Sequence, residues 1–168
     1  MNEQNHDSLM ARVFDTVVEW MKRDPQLRRF CSEDRQWRTW DGTQRDAELP
    51  TLNEMPCIRL TPRGDVMAWA VMGQVNNPSH SMTMNIDIET WVPGSNVRPS
   101  MELFEAILES LFPVQDTDRA TALAEAMAAV GVSRRELLKA AFGDVAESGY
   151  VYGKGLYQLT FYLKTPVT

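Results

Sequence analysis

The stretch SHSMTMNIDIETWV, residues 79–92, alternates apolar and polar side chains at almost every position. The even positions carry the apolar residues Met82, Met84, Ile86, Ile88 and Val92. The odd positions are polar from residue 81 to residue 89, and only Trp91 breaks the pattern. Because successive side chains of a β-strand point to opposite faces, this period of two predicts a long antiparallel strand with one buried face. Nothing in the stretch is placed for catalysis, so we interpret it as scaffold.

Further strands are predicted on both sides of this one. Turns at 62–65, which includes Pro62 and Gly64, and at 76–78 separate short apolar runs. Strands joined by such short links pair antiparallel as a meander, and the last strand is expected to pair with residues 79–92. The additional predicted strands are 35–40, 57–61, 66–75 and 149–165.

Helices are predicted wherever apolar residues recur at a spacing of three and four. This pattern marks residues 7–23 and 99–112. Residues 116–143 are rich in Ala and predict a helical hairpin, in which Gly131 breaks the chain and Ser133 with Glu136 forms a capping box for the second helix.

Together these elements predict one α+β domain that spans residues 1–168. Its mainly antiparallel sheet has four or five strands, with residues 79–92 near the middle. Helices 7–23 and 100–112 are expected to pack on the apolar face of that strand, and the hairpin at 116–143 is an insertion.

The composition excludes several classes of function. The net charge of −6 and the pI of about 4.9 argue against a bulk polyanion binder, because non-specific nucleic-acid affinity comes from Lys and Arg. Two cysteines, Cys31 and Cys57, and two histidines are too few and too widely spaced for a structural zinc site. The first residues lack the basic and apolar regions of a signal peptide, and no apolar run has membrane-span length. We therefore expect a soluble protein with free thiols in a reducing cytoplasm.

Enzyme signatures are also missing from the sequence. It contains no GxSxG, P-loop, GxGxxG or HExxH motif, so we expect no enzymatic activity, no cofactor and no metal. Gly153-Lys154-Gly155 is interpreted as a turn or bulge rather than a phosphate loop. Asp87 and Glu89 share one strand face, but paired carboxylates without an apolar pocket are usually solvated or interfacial.

Residues 120–143 leave an alternative open. A helix, a Gly-Val turn and a capped helix with Arg134, Arg135 and Lys139 are typical of a helix-turn-helix that reads DNA. The acidic surroundings and the position between sheet elements favour a helical hairpin that packs on the sheet.

Several residues are candidates for a subunit or partner interface. Trp91 lies on the polar face of its strand, where it either reaches the surface or packs under a loop or helix. Tryptophan and tyrosine are enriched at protein interfaces, and charged pairs across such a seam set its register. The candidate interface residues are Arg63, Asp65, Trp69, Asp87, Glu89, Trp91, Tyr150 and Tyr152.

The order of elements resembles the tail terminator (tail-completion, minor tail protein U type) family of long-tailed bacteriophages. The resemblance includes Trp40-Asp41-Gly42 and then the strand Met55-Pro56-Cys57-Ile58-Arg59-Leu60. It continues with the alternating strand from Met84 to Pro93, a helix from Ser100 to Pro113 and a C-terminal strand from Leu156 to Leu163. The helical pair at 116–143 is larger than this family needs.

The resemblance implies a structural protein of the virion tail or neck, made in the host cytoplasm. Its subunits would form a ring, expected to be a hexamer, that terminates the tail tube and joins it to the head connector. The implied partners are copies of the same chain, the tail tube protein and the head–tail connector, with no membrane and no specific nucleic acid, although phage DNA would pass through the ring. The alternatives are another ring-forming neck or connector protein, and a DNA-binding protein that uses residues 120–143.

Overall fold

The computed structural model of the chain describes residues 9–39, 49–74, 77–114 and 116–164, with side chains except at 9–10, 63–82, 137–140, 159, 161 and 163–164. The helices are α1 (Leu9–Arg23), α2 (Pro25–Phe30), α3 (Arg98–Leu111) and α4 (Thr117–Ala128). The strands are β1 (Trp37–Thr39), β2 (Cys57–Gln74), β3 (Asn77–Pro93), β4 (Val132–Ala146) and β5 (Tyr150–Lys164). Short 3-10 helical turns occur at Asp34–Gln36 and Leu52–Glu54.

The five strands form one sheet in the order β1-β2-β3-β5-β4. β1 runs parallel to β2, whereas the other three neighbouring pairs are antiparallel. The predicted α+β class, the central position of strand 79–92 and its pairing with the last strand are confirmed. The sheet is mixed because β1 runs parallel to β2. The expected antiparallel meander contained no parallel strand.

One face of this sheet packs against the helices and forms the main hydrophobic core. The β3 residues Met84, Ile86 and Ile88 are at most 1% exposed on this face, as their alternation predicts. The apolar stripes that contact the same core are Val13, Val17 and Met21 of α1 and Leu103, Ile107 and Leu111 of α3. The predicted covering of this face by the first helix and by the helix after β3 is confirmed.

Asp24 separates α1 from α2 and starts the second helix. Its carboxylate accepts a hydrogen bond from the backbone N–H of Gln26 at 2.8 Å. Pro25 follows at the first helical position, where a missing N–H leaves no bond unmade. The Asp-Pro pair that ends the predicted helix therefore also begins the next one.

The turn predicted at 62–65 is wrong, because β2 continues through it as a single strand. The register between β2 and β3 shifts between Arg63 and Ala68, so an irregularity in the ladder replaces the turn. Proline is tolerated at position 62 because β1 pairs only with residues 58–60, which leaves the rest of β2 at a sheet edge within the described residues. Of the turn predicted at 76–78, Asn77 and Pro78 already belong to β3, and residues 75–76 lie outside the described residues.

The helical hairpin predicted at 116–143 is also wrong in its second half. α4 ends at Ala128, Gly131 adopts a positive φ of 89°, and the chain then enters β4. The expected capping box does not form. Ser133 instead donates to the backbone oxygen of Tyr162 at 2.9 Å, and Glu136 accepts from the Tyr162 hydroxyl at 3.1 Å. Residues 132–146 are a strand because they pair with β5 along their length.

Gly153 and Gly155 lie inside β5 and form neither a turn nor a phosphate loop. A Cβ atom on Gly153 would lie only 2.5 Å from Cζ of Phe142 and 2.5 Å from Oγ1 of Thr90. The Phe142 ring of β4 therefore lies directly over the β5 backbone, and from there it stacks on Phe104 of α3 at 4.3 Å between ring centroids. The missing side chain in β5 lets Phe142 of β4 reach α3.

Candidate functional site

The sheet face opposite the helices carries the odd-numbered side chains of β3, and we call it the open face. Its strand register brings residues of β2, β3, β5 and β4 into rows. Glu89 lies between Arg59 of β2 and Lys154 of β5, and Trp91 lies between Cys57 and Tyr152. The buried cluster on this face consists of Met55, Cys57 and Trp91, and none of these belongs to the four α-helices.

Glu89 is the centre of a hydrogen-bonded charge network on the open face. Its Oε2 lies 2.5 Å from Nη2 and 2.6 Å from Nε of Arg59, a two-donor contact with one guanidinium. Its Oε1 accepts a hydrogen bond of 2.7 Å from the Tyr152 hydroxyl. Burial and then this hydrogen bond raise the pKa of Tyr152 above its usual value, so the phenol remains a donor at neutral pH.

Aromatic rings fix the position of the same cation. The Arg59 guanidinium lies 5.1 Å from the centroid of the Trp91 ring, and Trp91 packs against Tyr152 at 5.5 Å between centroids. Trp91 is only 1% exposed, so it packs beneath its neighbours and does not reach the surface. Its indole Nε1 has no hydrogen-bond partner among the described residues. Leu49 and Glu147 join these aromatic residues around a shallow cavity of about 190 Å³ that also includes Tyr150.

Polar contacts continue along the open face away from this cavity. Lys154 lies 3.9 Å from the Asp87 carboxylate, and the hydroxyls of Thr83 and Thr160 are 3.2 Å apart across β3 and β5. On β4, Arg134 pairs with Glu136 and lies 5.2 Å from the centroid of the Tyr162 ring. The open face is thus a polar surface with charges of both signs, held by contacts between neighbouring strands.

Five of the eight candidate interface residues come together on this face: Asp87, Glu89, Trp91, Tyr150 and Tyr152. The other three lie on the β2 backbone, where Arg63 pairs with Asn85, Trp69 pairs with Met82, and Asp65 falls within the register shift. Their side chains lie outside the described residues. The sequence did not identify Arg59 and Lys154 as candidate site residues. Their contacts with Glu89 and Asp87 become visible only once the pairing of β2, β3 and β5 is known.

Asp87 and Glu89, the two carboxylates that share this face of β3, each have a cationic neighbour. Glu89 is bonded to Arg59, whereas Asp87 lies near Lys154. Within the described residues, no group of three or more His, Cys, Asp or Glu side chains is arranged to hold a metal ion. Both cysteines are free, as predicted, and both are buried. Burial raises the pKa of Cys31 to about 12 and that of Cys57 to about 11.

The helix-turn-helix geometry considered for residues 120–143 is not formed. Arg134 and Arg135 lie on β4, so neither is part of a recognition helix. Arg135 turns towards the helices, donates to the backbone oxygen of Leu111 at 2.9 Å and lies 5.2 Å from the Phe112 ring centroid. Lys139 is on the same strand, and its side chain lies outside the described residues.

Comparison of the sequence with protein-family models finds no match, and comparison with curated proteins finds none either. None of the helices in the described ranges is both long enough and apolar enough to cross a membrane.

Proposed function

We propose that this protein is a structural subunit of a virion, which assembles into a ring that terminates a bacteriophage tail tube and joins it to the head connector. The observation that carries the proposal is the open face. A sheet covered by helices on one side and presenting a rigid polar surface on the other is suited to repeated contact with copies of itself.

The arrangement of side chains on the open face supports an assembly role. Interfaces that must close into a ring are heterologous, so a patch on one subunit meets a different patch on the next, and the fixed rotation between them brings the ring to closure. Such contacts need side chains with little freedom. Arg59, Glu89 and Tyr152 have already lost most of theirs in the network described above, so a partner surface would order few further groups.

Another ring-forming neck or connector protein of the same virion would use the same features. A DNA-reading role for residues 120–143 is not proposed, because the second helix of that motif is β4. The wider assignment of virion location, of a hexamer and of the tail tube and connector as partners rests on the resemblance of the element order.

Ring assembly is tested with two matched substitutions of exposed valines. Val145 is 57% exposed and pairs with Tyr152 at the end of β4, on the open face, whereas Val114 is 85% exposed after α3. We expect wild-type protein and Val114→Asp to form rings on purified tail tubes in negative-stain electron microscopy. Val145→Asp should stay folded but leave the tubes uncapped. Equal capping by all three proteins would contradict assembly through the open face.

A further inference from the structure

The helical layer contains two adjoining cavities on the opposite side of the sheet from the open face. One, of about 540 Å³, lies between α1 and α4, and the other, of about 760 Å³, lies between α3 and the start of α4. Arg119 lines both. We refer to the two together as the helical groove.

Carboxylates dominate the lining of the helical groove. The larger cavity is lined by the acidic residues Glu102, Glu105, Glu109, Asp116 and Asp118, and the smaller one by Asp15, Glu19 and Asp24. The lining cations are Arg23 and Arg119. Eight carboxylates against two guanidinium groups leave a formal charge of −6, as large as the net charge of the whole chain. The residues that line the helical groove therefore carry a net negative charge.

Arg119, the cation shared by both cavities, already forms an ion pair with a buried carboxylate. Arg119 forms an ion pair with Asp24, whose side chain is 1% exposed. The second oxygen of Asp24 caps α2 through Gln26, so this carboxylate is fixed in position. Arg23 lies 3.9 Å from Glu19 and Arg98 3.1 Å from Glu102, and both of these pairs are largely exposed, where ion pairs are weak. Of the remaining carboxylates, Glu109 and Asp116 accept backbone hydrogen bonds from Val114 and Arg119. Within the described residues none of the remaining carboxylates forms an ion pair, so together they present a negative potential to solvent.

The smaller cavity also has apolar lining residues beside the carboxylates. Trp20, Pro25 and Ala126 line it. The Trp20 indole N–H donates to the backbone oxygen of Ser110 at 2.9 Å, which fixes the ring between α1 and α3. A cavity of this volume accepts a large apolar side chain, and a fixed aromatic wall favours its burial.

We propose that the helical groove docks a cationic segment of another protein, one in which Lys or Arg residues flank an apolar anchor. The basic residues would lie over the carboxylates of α3 and α4, and the anchor would enter the cavity beside Trp20. The parts of this chain outside the described residues do not supply such a segment. Residues 1–8 and 40–48 each contain more Asp and Glu than Lys and Arg, and residues 165–168 contain no charged side chain. This surface is separate from the open face and from the ring contacts proposed for it.

The test is fluorescence anisotropy with a labelled amphipathic helical peptide of Lys and Leu, about 18 residues long, added to the full chain at about 0.1 M salt. A Lys/Ser peptide of the same charge controls for the apolar anchor. We expect saturable binding of the Lys/Leu peptide and at least about tenfold weaker binding of the Lys/Ser peptide. Glu105→Lys should weaken binding about tenfold, because an attractive contact becomes repulsive. Glu147→Lys, the same charge change near the open face, should stay within about twofold.

A second variant tests the cavity independently of charge. Ala126→Phe places a ring in the smaller cavity and should weaken binding of the Lys/Leu peptide while leaving that of the Lys/Ser peptide unchanged. Circular dichroism checks that each variant is folded. Absence of saturable binding, equal binding of both peptides, or equal effects of Glu105→Lys and Glu147→Lys would overturn the proposal. Self-association that Glu105→Lys abolishes would assign the groove to a second copy of the chain and overturn the choice of partner.

Discussion

Replacing Glu89 with Gln removes the charge at the centre of the open face while keeping the size of the side chain. The side chains of Arg59 and Glu89 are only 15% and 14% exposed, so their ion pair is mostly buried. Losing one partner of a fully buried pair costs roughly 3–5 kcal/mol, because the other charge is left uncompensated. Remaining exposure, and the ability of the amide oxygen to accept from Tyr152, lower the expected cost to about 2 kcal/mol. For a chain of this size, that corresponds to a fall in Tm of about 4–8 °C.

The chain offers a matched control for this experiment in Glu102→Gln. Glu102 lies 3.1 Å from Arg98, but the two side chains are 53% and 81% exposed. Breaking that pair should cost less than about 0.5 kcal/mol, since exposed ion pairs are screened by water. Urea unfolding followed by tryptophan fluorescence measures both free energies of unfolding. Equal destabilisation by the two substitutions would refute the conclusion that the Glu89 network is a buried, rigid element.

Three further outcomes test the fold. Gly153→Ala should lower the free energy of unfolding in urea by about 1–3 kcal/mol, because its Cβ would lie 2.5 Å from its neighbours. Gly143→Ala, with nothing within 4 Å of its Cβ, should be neutral or slightly stabilising. Equal effects would contradict the packing of β4 on β5. Ile86→Asp should cost at least about 4 kcal/mol, since the site is fully buried, and an unchanged Tm would show that the β3 register is wrong. The raised pKa values of Cys31 and Cys57, about 12 and about 11 against an ordinary 9.0, mean that the folded state keeps thiol protons that the unfolded chain releases. Stability should therefore fall as pH rises above 9, by up to about 1.4 kcal/mol per pH unit for each thiol. Cys57→Ala should reduce that slope, and an unaltered slope in urea unfolding at pH 8 and pH 10 would contradict it.

The central part of the fold could be predicted because its signals are local. The alternation in residues 79–92 sets which side chains of β3 are buried, and no distant residue is needed to read it. The apolar spacing in α1 and α3 is equally local. These three elements form the main core, so the α+β class and the covered face of the sheet followed from the sequence.

Residues 132–146 could not be assigned correctly because their structure depends on a distant partner. Ala, Leu and Lys in this segment favour a helix, and Ser133 with Glu136 matches a helix start. The ladder with β5 and the space over Gly153 for Phe142 outweigh these local preferences. The long-range contact is visible only in the folded chain.

The open face was predicted only in part, because some of its contacts also depend on distant strands. Asp87, Glu89 and Trp91 share a face through alternation alone, and that much is local. Arg59 and Tyr152 reach Glu89 from strands that are 30 and 63 residues away in sequence. The contacts of Glu89 with these two residues could therefore be predicted only from the sheet register, which turns and bulges determine.

The most direct test of the proposed function is electron microscopy of virus particles produced without this protein. A terminator stops polymerisation of the tail tube and supplies the surface that joins the head. We expect tails that are over-long or detached from heads, with rescue by wild-type protein and none by Val145→Asp. Tails of normal length joined to heads in the absence of this protein would contradict the proposed role.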